Sequence, residues 1–246
     1  MDSRKKQARL TGALYLVLAL VGGFGILYVP GQLVEPGNAV QTATNIRENE
    51  FLFRLGIASQ LVCSVLFVFL GLALYRLLRR IHRRRARLMV ILVLVSAPIG
   101  FLITLPQIAA LNLLRGANYA RVFEPEQVLG QMLLLLELHQ IGILVVGIFW
   151  GLWLFPFGYL VYHSGFIPKL IGLLLMIGCV AYLIESFGWL LFPEFHSIIS
   201  PYLLLPLSLG EFSIIVWLVT VGARDRSVDS LSFVGRFRRN PSSNPA

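Results

Sequence analysis

The sequence predicts an all-α fold: a polytopic integral membrane bundle of six transmembrane helices with both termini in the cytoplasm. Three observations carry that prediction. Six stretches, 10–29, 55–75, 88–111, 138–162, 170–192 and 201–222, are dominated by apolar residues. Each reaches the length of about 20 residues that crosses a hydrocarbon core of roughly 30 Å. Apolar residues make up 57% of the chain and charged residues only 13%, with a mean hydropathy of +0.78. Soluble domains hold about 45–50% apolar residues, and the segments between these spans are too short for a soluble domain of their own.

The third observation is where the charge lies. Segments 1–9, 76–87, 163–169 and 223–246 hold seventeen Lys and Arg against three acids, Asp2, Asp225 and Asp229. The remainder holds four arginines, Arg47, Arg54, Arg115 and Arg121, and nine glutamates. Basic segments resist translocation, so the first set is expected inside and six crossings follow. The sequence pI of 10.1 therefore reflects topology and contact with anionic lipid headgroups, and no nucleic-acid partner is expected.

Taken in order, span 1 follows Arg4, Lys5, Lys6 and Arg9. Its apolar run exceeds the roughly 7–15 residues of a signal-peptide core, which reads as a retained helix. The segment 30–53 is the longest outer loop, with a short surface helix expected over Ala39–Phe53 and Asn38 as its N-cap. Span 2 is expected to run on as helix into the 76–87 loop. There Arg79, Arg80, Arg83, Arg84, Arg85 and Arg87 would reach lipid phosphates. Span 3 contains Pro98 and Pro106, which remove backbone donors and predict a kink or break.

Span 4 carries Gly147 and Gly151 in a small-xxx-small pattern, a packing face through which two copies could also meet. Gly165 and Pro168 predict a tight turn between spans 4 and 5. Cys63 and Cys179 fall inside spans 2 and 5 as small core residues, with no disulfide or metal motif. The basic tail 223–246 reads as disordered or as a membrane-surface anchor. Three spans followed by three of opposite start suit an inverted repeat, yet the two halves share no convincing sequence similarity.

Ionisable groups inside spans cost about 2.5–3.5 kcal/mol each at a helix centre on insertion scales, so each needs a reason. Glu211 lies nearest the middle of a span, Glu185 nearer the end of span 5, and Glu137, His139 and Gln140 open span 4. Arg54 opens span 2, with Gln60 and Ser64 on one face below it. If spans 2, 4, 5 and 6 are neighbours, Glu211, Glu185, Glu137, His139, Arg54 and Gln60 form a polar pocket in the outer half. Glu211 and Glu185 would then be ion or proton sites and Arg54 an anion partner. The competing reading is a set of buried pairs that lock helices together. His82, His139, His163 and His196 are too scattered for a three-histidine zinc site. The chain has no HExxH, P-loop or GxSxG motif, and no catalytic residue, metal or cofactor is expected.

Several stretches together resemble an uncharacterised bacterial family of six-helix membrane proteins, the domain of unknown function numbered 4386. They include Ala13-Leu14-Tyr15-Leu16, Pro36-Gly37-Asn38-Ala39, Leu52-Phe53-Arg54-Leu55-Gly56-Ile57 and Leu74-Tyr75-Arg76-Leu77-Leu78. The run from Phe149-Trp150-Gly151-Leu152-Trp153 through Gly165-Phe166-Ile167-Pro168 also matches, as do Tyr182-Leu183-Ile184-Glu185-Ser186-Phe187 and Gly210-Glu211. The likeness covers roughly residues 5–222 and implies an integral membrane protein with no established activity. The expected function is a small transporter or ion-coupled permease in a prokaryotic inner membrane. The alternatives are a membrane-embedded enzyme on a lipid-like substrate, or a structural or regulatory membrane protein.

Overall fold

In the computed structural model, which describes residues 3–223, every regular element is helical. Six of the helical stretches are long and apolar enough to cross a membrane. The tail expectation falls almost wholly on residues 224–246, outside the described residues.

The first crossing is α1 (Ser3–Gly23), continued through a π-helical turn (Phe24–Tyr28) into α2 (Val29–Leu33). Pro30 lacks an N–H for the helical ladder. Just before it the ladder widens, with the Val29 N–H donating to the Phe24 carbonyl. The short helix α3 (Ala39–Glu48) follows, and the Asn38 side chain accepts from the Gln41 N–H at 2.9 Å, as its N-cap position predicts. It stops sooner than the expected Phe53, because Asn49 leaves helical geometry (φ −119°, ψ 39°) and a new helix starts.

That helix, α4 (Glu50–Leu78), is the second crossing. It continues into the 76–87 loop as expected, but only as far as Leu78, before most of the arginines. His82 caps the next helix, and Arg83, Arg84, Arg85 and Arg87 belong to the first turns of α5 (Arg83–Leu102). The predicted interruption of span 3 falls at Ile103–Thr104, between α5 and α6 (Leu105–Leu114). Pro106 lacks an N–H, so the Leu102 carbonyl has no i+4 donor there. After a short 3₁₀ turn (Asn118–Val122) comes α7 (Pro125–Ser164), 40 residues long. Gly165 ends it in left-handed geometry (φ 72°), the turn its lack of a Cβ allows. Pro168 then leads into α8 (Lys169–Leu191), and α9 (Pro193–Thr220) completes the set.

The six crossings form a closed ring in chain order. α1 packs on α4, α4 on α5, α5 on α7, α7 on α8, α8 on α9, and α9 returns to α1. Spans 2, 4, 5 and 6 are therefore not mutual neighbours: α4 packs chiefly against its sequence neighbours, with α8 and α9 across the ring. Glycines set the tightest seam. A Cβ on Gly158 of α7 would lie 2.6 Å from the Gly172 carbonyl of α8. A Cβ on Gly151 would lie 2.6 Å from the Cβ of Tyr182. The Gly147–Gly151 face packs against Tyr182 and Ser186 of α8 in the same chain, as expected of a packing face.

Two apolar cores hold the ring. One, with Leu70, Leu74, Met89, Leu154, Phe157 and Leu218, fills the end that carries the arginines. The other, with Leu33, Ile46, Phe53, Ala110, Met132 and Leu136, joins α2, α3, α4, α6 and α7 at the far end. The basic end is tied together by its own cations. Arg85 lies 3.4 Å from the Tyr159 ring centre, Arg4 lies 5.7 Å from that of Phe166, and Arg9 donates to the Thr220 carbonyl at 3.0 Å. Elsewhere the bundle shows large apolar side chains outward, among them Leu20, Phe69, Val180 and Val216. A water-facing surface does not do this, and a lipid-facing one does.

Candidate functional site

Between the two cores the ring is not filled. A cavity of about 170 Å³ lies there, and all six crossings contribute to its wall: Gly22, Cys63, Ser96, Trp153, Tyr182 and Glu211 stand for them in chain order. Glu211 supplies the carboxyl group. Gly210 places it, because a Cβ at that position would lie 2.8 Å from the Leu175 backbone nitrogen, so α9 lies close against α8. The Tyr15 hydroxyl donates to Glu211 Oε2 at 2.5 Å, and the Tyr182 hydroxyl reaches Oε1 at 3.5 Å. No ion pair to Glu211 is present among the described residues.

The floor beneath this carboxylate is aromatic. Trp153 is buried, stacks on Phe157 at 5.1 Å, and meets Phe67 edge-on at 5.0 Å and Tyr15 at 6.2 Å. Below it lies the fully packed core of the basic end. The serines in the wall are occupied: Ser64 donates to the Gln60 carbonyl and Ser96 to the Val93 carbonyl. The chemistry available is that of a half-buried carboxylate between two phenols. Among the described residues no cation pairs with it, and a partly buried carboxylate without a counter-ion is costly in apolar surroundings.

Toward the far end lies a second, larger cavity of about 410 Å³. Its wall includes Val29, Phe53, Leu136, Glu137, His139 and Gln140, with Glu35 on the loop after α2. Gln60 lines both cavities. It is buried and donates through Nε2 to the Gly25 carbonyl in the π-helical turn and to Gln107 Oε1 on α6, each at 3.1 Å. This amide bridge lies at the boundary of the two spaces. His139 Nδ1 lies 2.6 Å from the Ile103 carbonyl, at the break between α5 and α6. His139 is 1% exposed, and its Nε2 has no partner among the described residues.

Glu211 and Gln60 thus share the first cavity, and Gln60, Glu137 and His139 share the second. The other two expected pocket residues lie elsewhere. Glu185 accepts from Ser200 at 2.8 Å and lies 3.1 Å from His196 Nε2, which joins α8 to the start of α9. Arg54 is exposed and pairs with Glu50 four residues earlier at 2.7 Å, while Arg115 approaches the same carboxylate at 3.5 Å. Glu50 engages Arg54 at the surface, so that guanidinium is not free to serve a cavity. Among the loop arginines, Arg79, Arg80, Arg83, Arg84 and Arg87 are exposed, whereas Arg85 is half-buried over Tyr159.

Sequence reasoning missed Tyr15, Tyr182 and Gln107 as partners. One signal was present for the phenols: aromatic hydroxyls favour membrane interfaces, and Tyr15 sits about 18 Å along α1 from its start, well inside the span. A family model described as a domain of unknown function, DUF4386, matches residues 10–222. No curated protein and no solved structure matches the chain. The chain belongs to the DUF4386 family, and the resemblance carried by its motifs is borne out.

Proposed function

We propose that this member of the DUF4386 family is a small cation- or proton-coupled transporter of a prokaryotic cytoplasmic membrane, with its basic end and both termini inside. One observation carries the reading: a single carboxylate, Glu211, faces a cavity lined by every crossing and is held by two phenols rather than by a cation. A carboxylate that only locks helices is expected to meet a Lys, Arg or His, as Glu185 meets His196. Ion and proton sites of transporters lie inside the bilayer between packed helices, and the position of Glu211 within α9, away from either end, supports this reading. The amide bridge of Gln60 and Gln107 would gate passage between the far-end cavity and this site.

The test is flux in proteoliposomes, comparing wild type with Glu211→Gln at matched incorporation. Proton or monovalent-cation flux in the wild type and its loss in the variant supports the reading. Equal flux in both, or none in either, rejects it.

A further inference from the structure

We propose that the far-end cavity is a binding site for a small organic cation that carries N–H donors, an alkylammonium. The proposal starts from His139. A backbone carbonyl only accepts, so the contact with Ile103 at 2.6 Å requires Nδ1 to carry the hydrogen. In the neutral ring Nε2 is then a bare acceptor. That nitrogen is buried and without a partner among the described residues, on a ring that lines the cavity. A buried acceptor left unsatisfied is a rare and costly feature of a folded protein, and a donor arriving in the cavity would satisfy it.

The rest of the wall selects among donors. Glu137 and Glu35 bring carboxylates to the cavity, and among the described residues no Lys or Arg lines it. This wall disfavours anions and favours a positive charge. Val29, Phe53, Ile57 and Leu136 supply an apolar side suited to a short alkyl group. A transition-metal ion fits less well, because no group of three metal-ligating side chains assembles among the described residues. The occupant that matches all of these features has an ammonium head for the acceptors and an alkyl tail for the apolar wall.

The inference goes beyond transport and does not rest on it, since capture is read at equilibrium. The experiment is isothermal titration of the full chain in detergent with n-butylammonium chloride, beside sodium butyrate and tetramethylammonium chloride. The last carries the charge without N–H donors. Saturable binding of butylammonium is expected, with the other two at least about tenfold weaker. His139→Phe and Glu137→Gln are each expected to weaken it by about tenfold or more. Glu137 is exposed, so its variant keeps the test valid should loss of the Ile103 contact unsettle His139→Phe. Glu211→Gln is expected to leave the Kd within about twofold, because that residue lines the other cavity. Absence of saturable binding, equal binding of tetramethylammonium, or a Kd unchanged in both His139→Phe and Glu137→Gln overturns the proposal. So does loss of binding in Glu211→Gln. Wild-type chain that moves no ions but still binds butylammonium would sink the transport reading alone.

Discussion

Tyr15 and Glu211 are 196 positions apart in the chain and 2.5 Å apart in space, a phenol of the first crossing donating to a carboxylate of the last. The contact closes the ring of helices and orients the one acid on the central cavity. Tyr15→Phe keeps the ring that packs on Trp153 and removes only the hydroxyl. It leaves Glu211 Oε2 without its donor, a loss expected to cost about 1–3 kcal/mol. Thermal unfolding in detergent, followed by near-ultraviolet circular dichroism, reads this as a lowered midpoint. An unchanged midpoint would show that the hydroxyl contributes nothing to stability.

Gln60 satisfies two acceptors at once, the Gly25 carbonyl and Gln107 Oε1. Gln60→Leu has nearly the same length and no donor. It strands both acceptors in a buried setting, with an expected loss of about 1–3 kcal/mol. The double variant Gln60→Leu with Gln107→Leu removes one of the stranded groups. It should recover part of the stability, and a double-mutant cycle by thermal denaturation measures how much. Strict additivity of the two changes would contradict the bridge.

Gly151 abuts the Cβ of Tyr182 on the neighbouring helix. Gly151→Leu overpacks that seam and is expected to destabilise the monomer by about 1–3 kcal/mol or more. Its oligomeric state, read by light scattering in detergent, should stay as in wild type. A change of oligomeric state with full thermal stability would instead assign this face to contact between copies.

Arg54 is exposed at the surface, and its pair with Glu50 is an i, i+4 pair on one helix. Arg54→Ala is expected to cost no more than about 0.5 kcal/mol. Flux in proteoliposomes should match wild type. A collapse of flux in this variant would return Arg54 to the transport path.

The proposed sidedness rests on the arginines alone. In a background with Cys63→Ser and Cys179→Ser, Arg80→Cys is expected to react with an impermeant maleimide only from the cytoplasmic side. Labelling from the outside of intact cells would invert the topology.

The six crossings were legible because apolar length is a property of the chain by itself, and the same was true of Glu211, an acid where lipid or helix must surround it. The cap at Asn38 and the turn at Gly165 were legible for the same local reason. Partners were harder. The donors to Glu211 come from α1 and α8, so no spacing along the sequence announces them. The Ile103 carbonyl became available to His139 only because span 3 breaks at Ile103–Thr104, just ahead of Pro106. Arg54 was read as a pocket residue although Glu50 stood one helical turn before it, the arrangement that neutralises a surface arginine. Glu185 was read with Glu211, but the turn at Phe192 folds His196 and Ser200 back onto it first.

A ring whose neighbours are neighbours in sequence also dictates an order of birth. Each crossing that leaves the ribosome meets, already in the membrane, the helix it will pack against, from α4 onto α1 through to α9 onto α8. Only one seam must wait. α1, made before the other five crossings, keeps one flank exposed until α9 arrives. Until then the central cavity stands open to lipid on that side. Insertion of α9 and enclosure of the interior are therefore the same event.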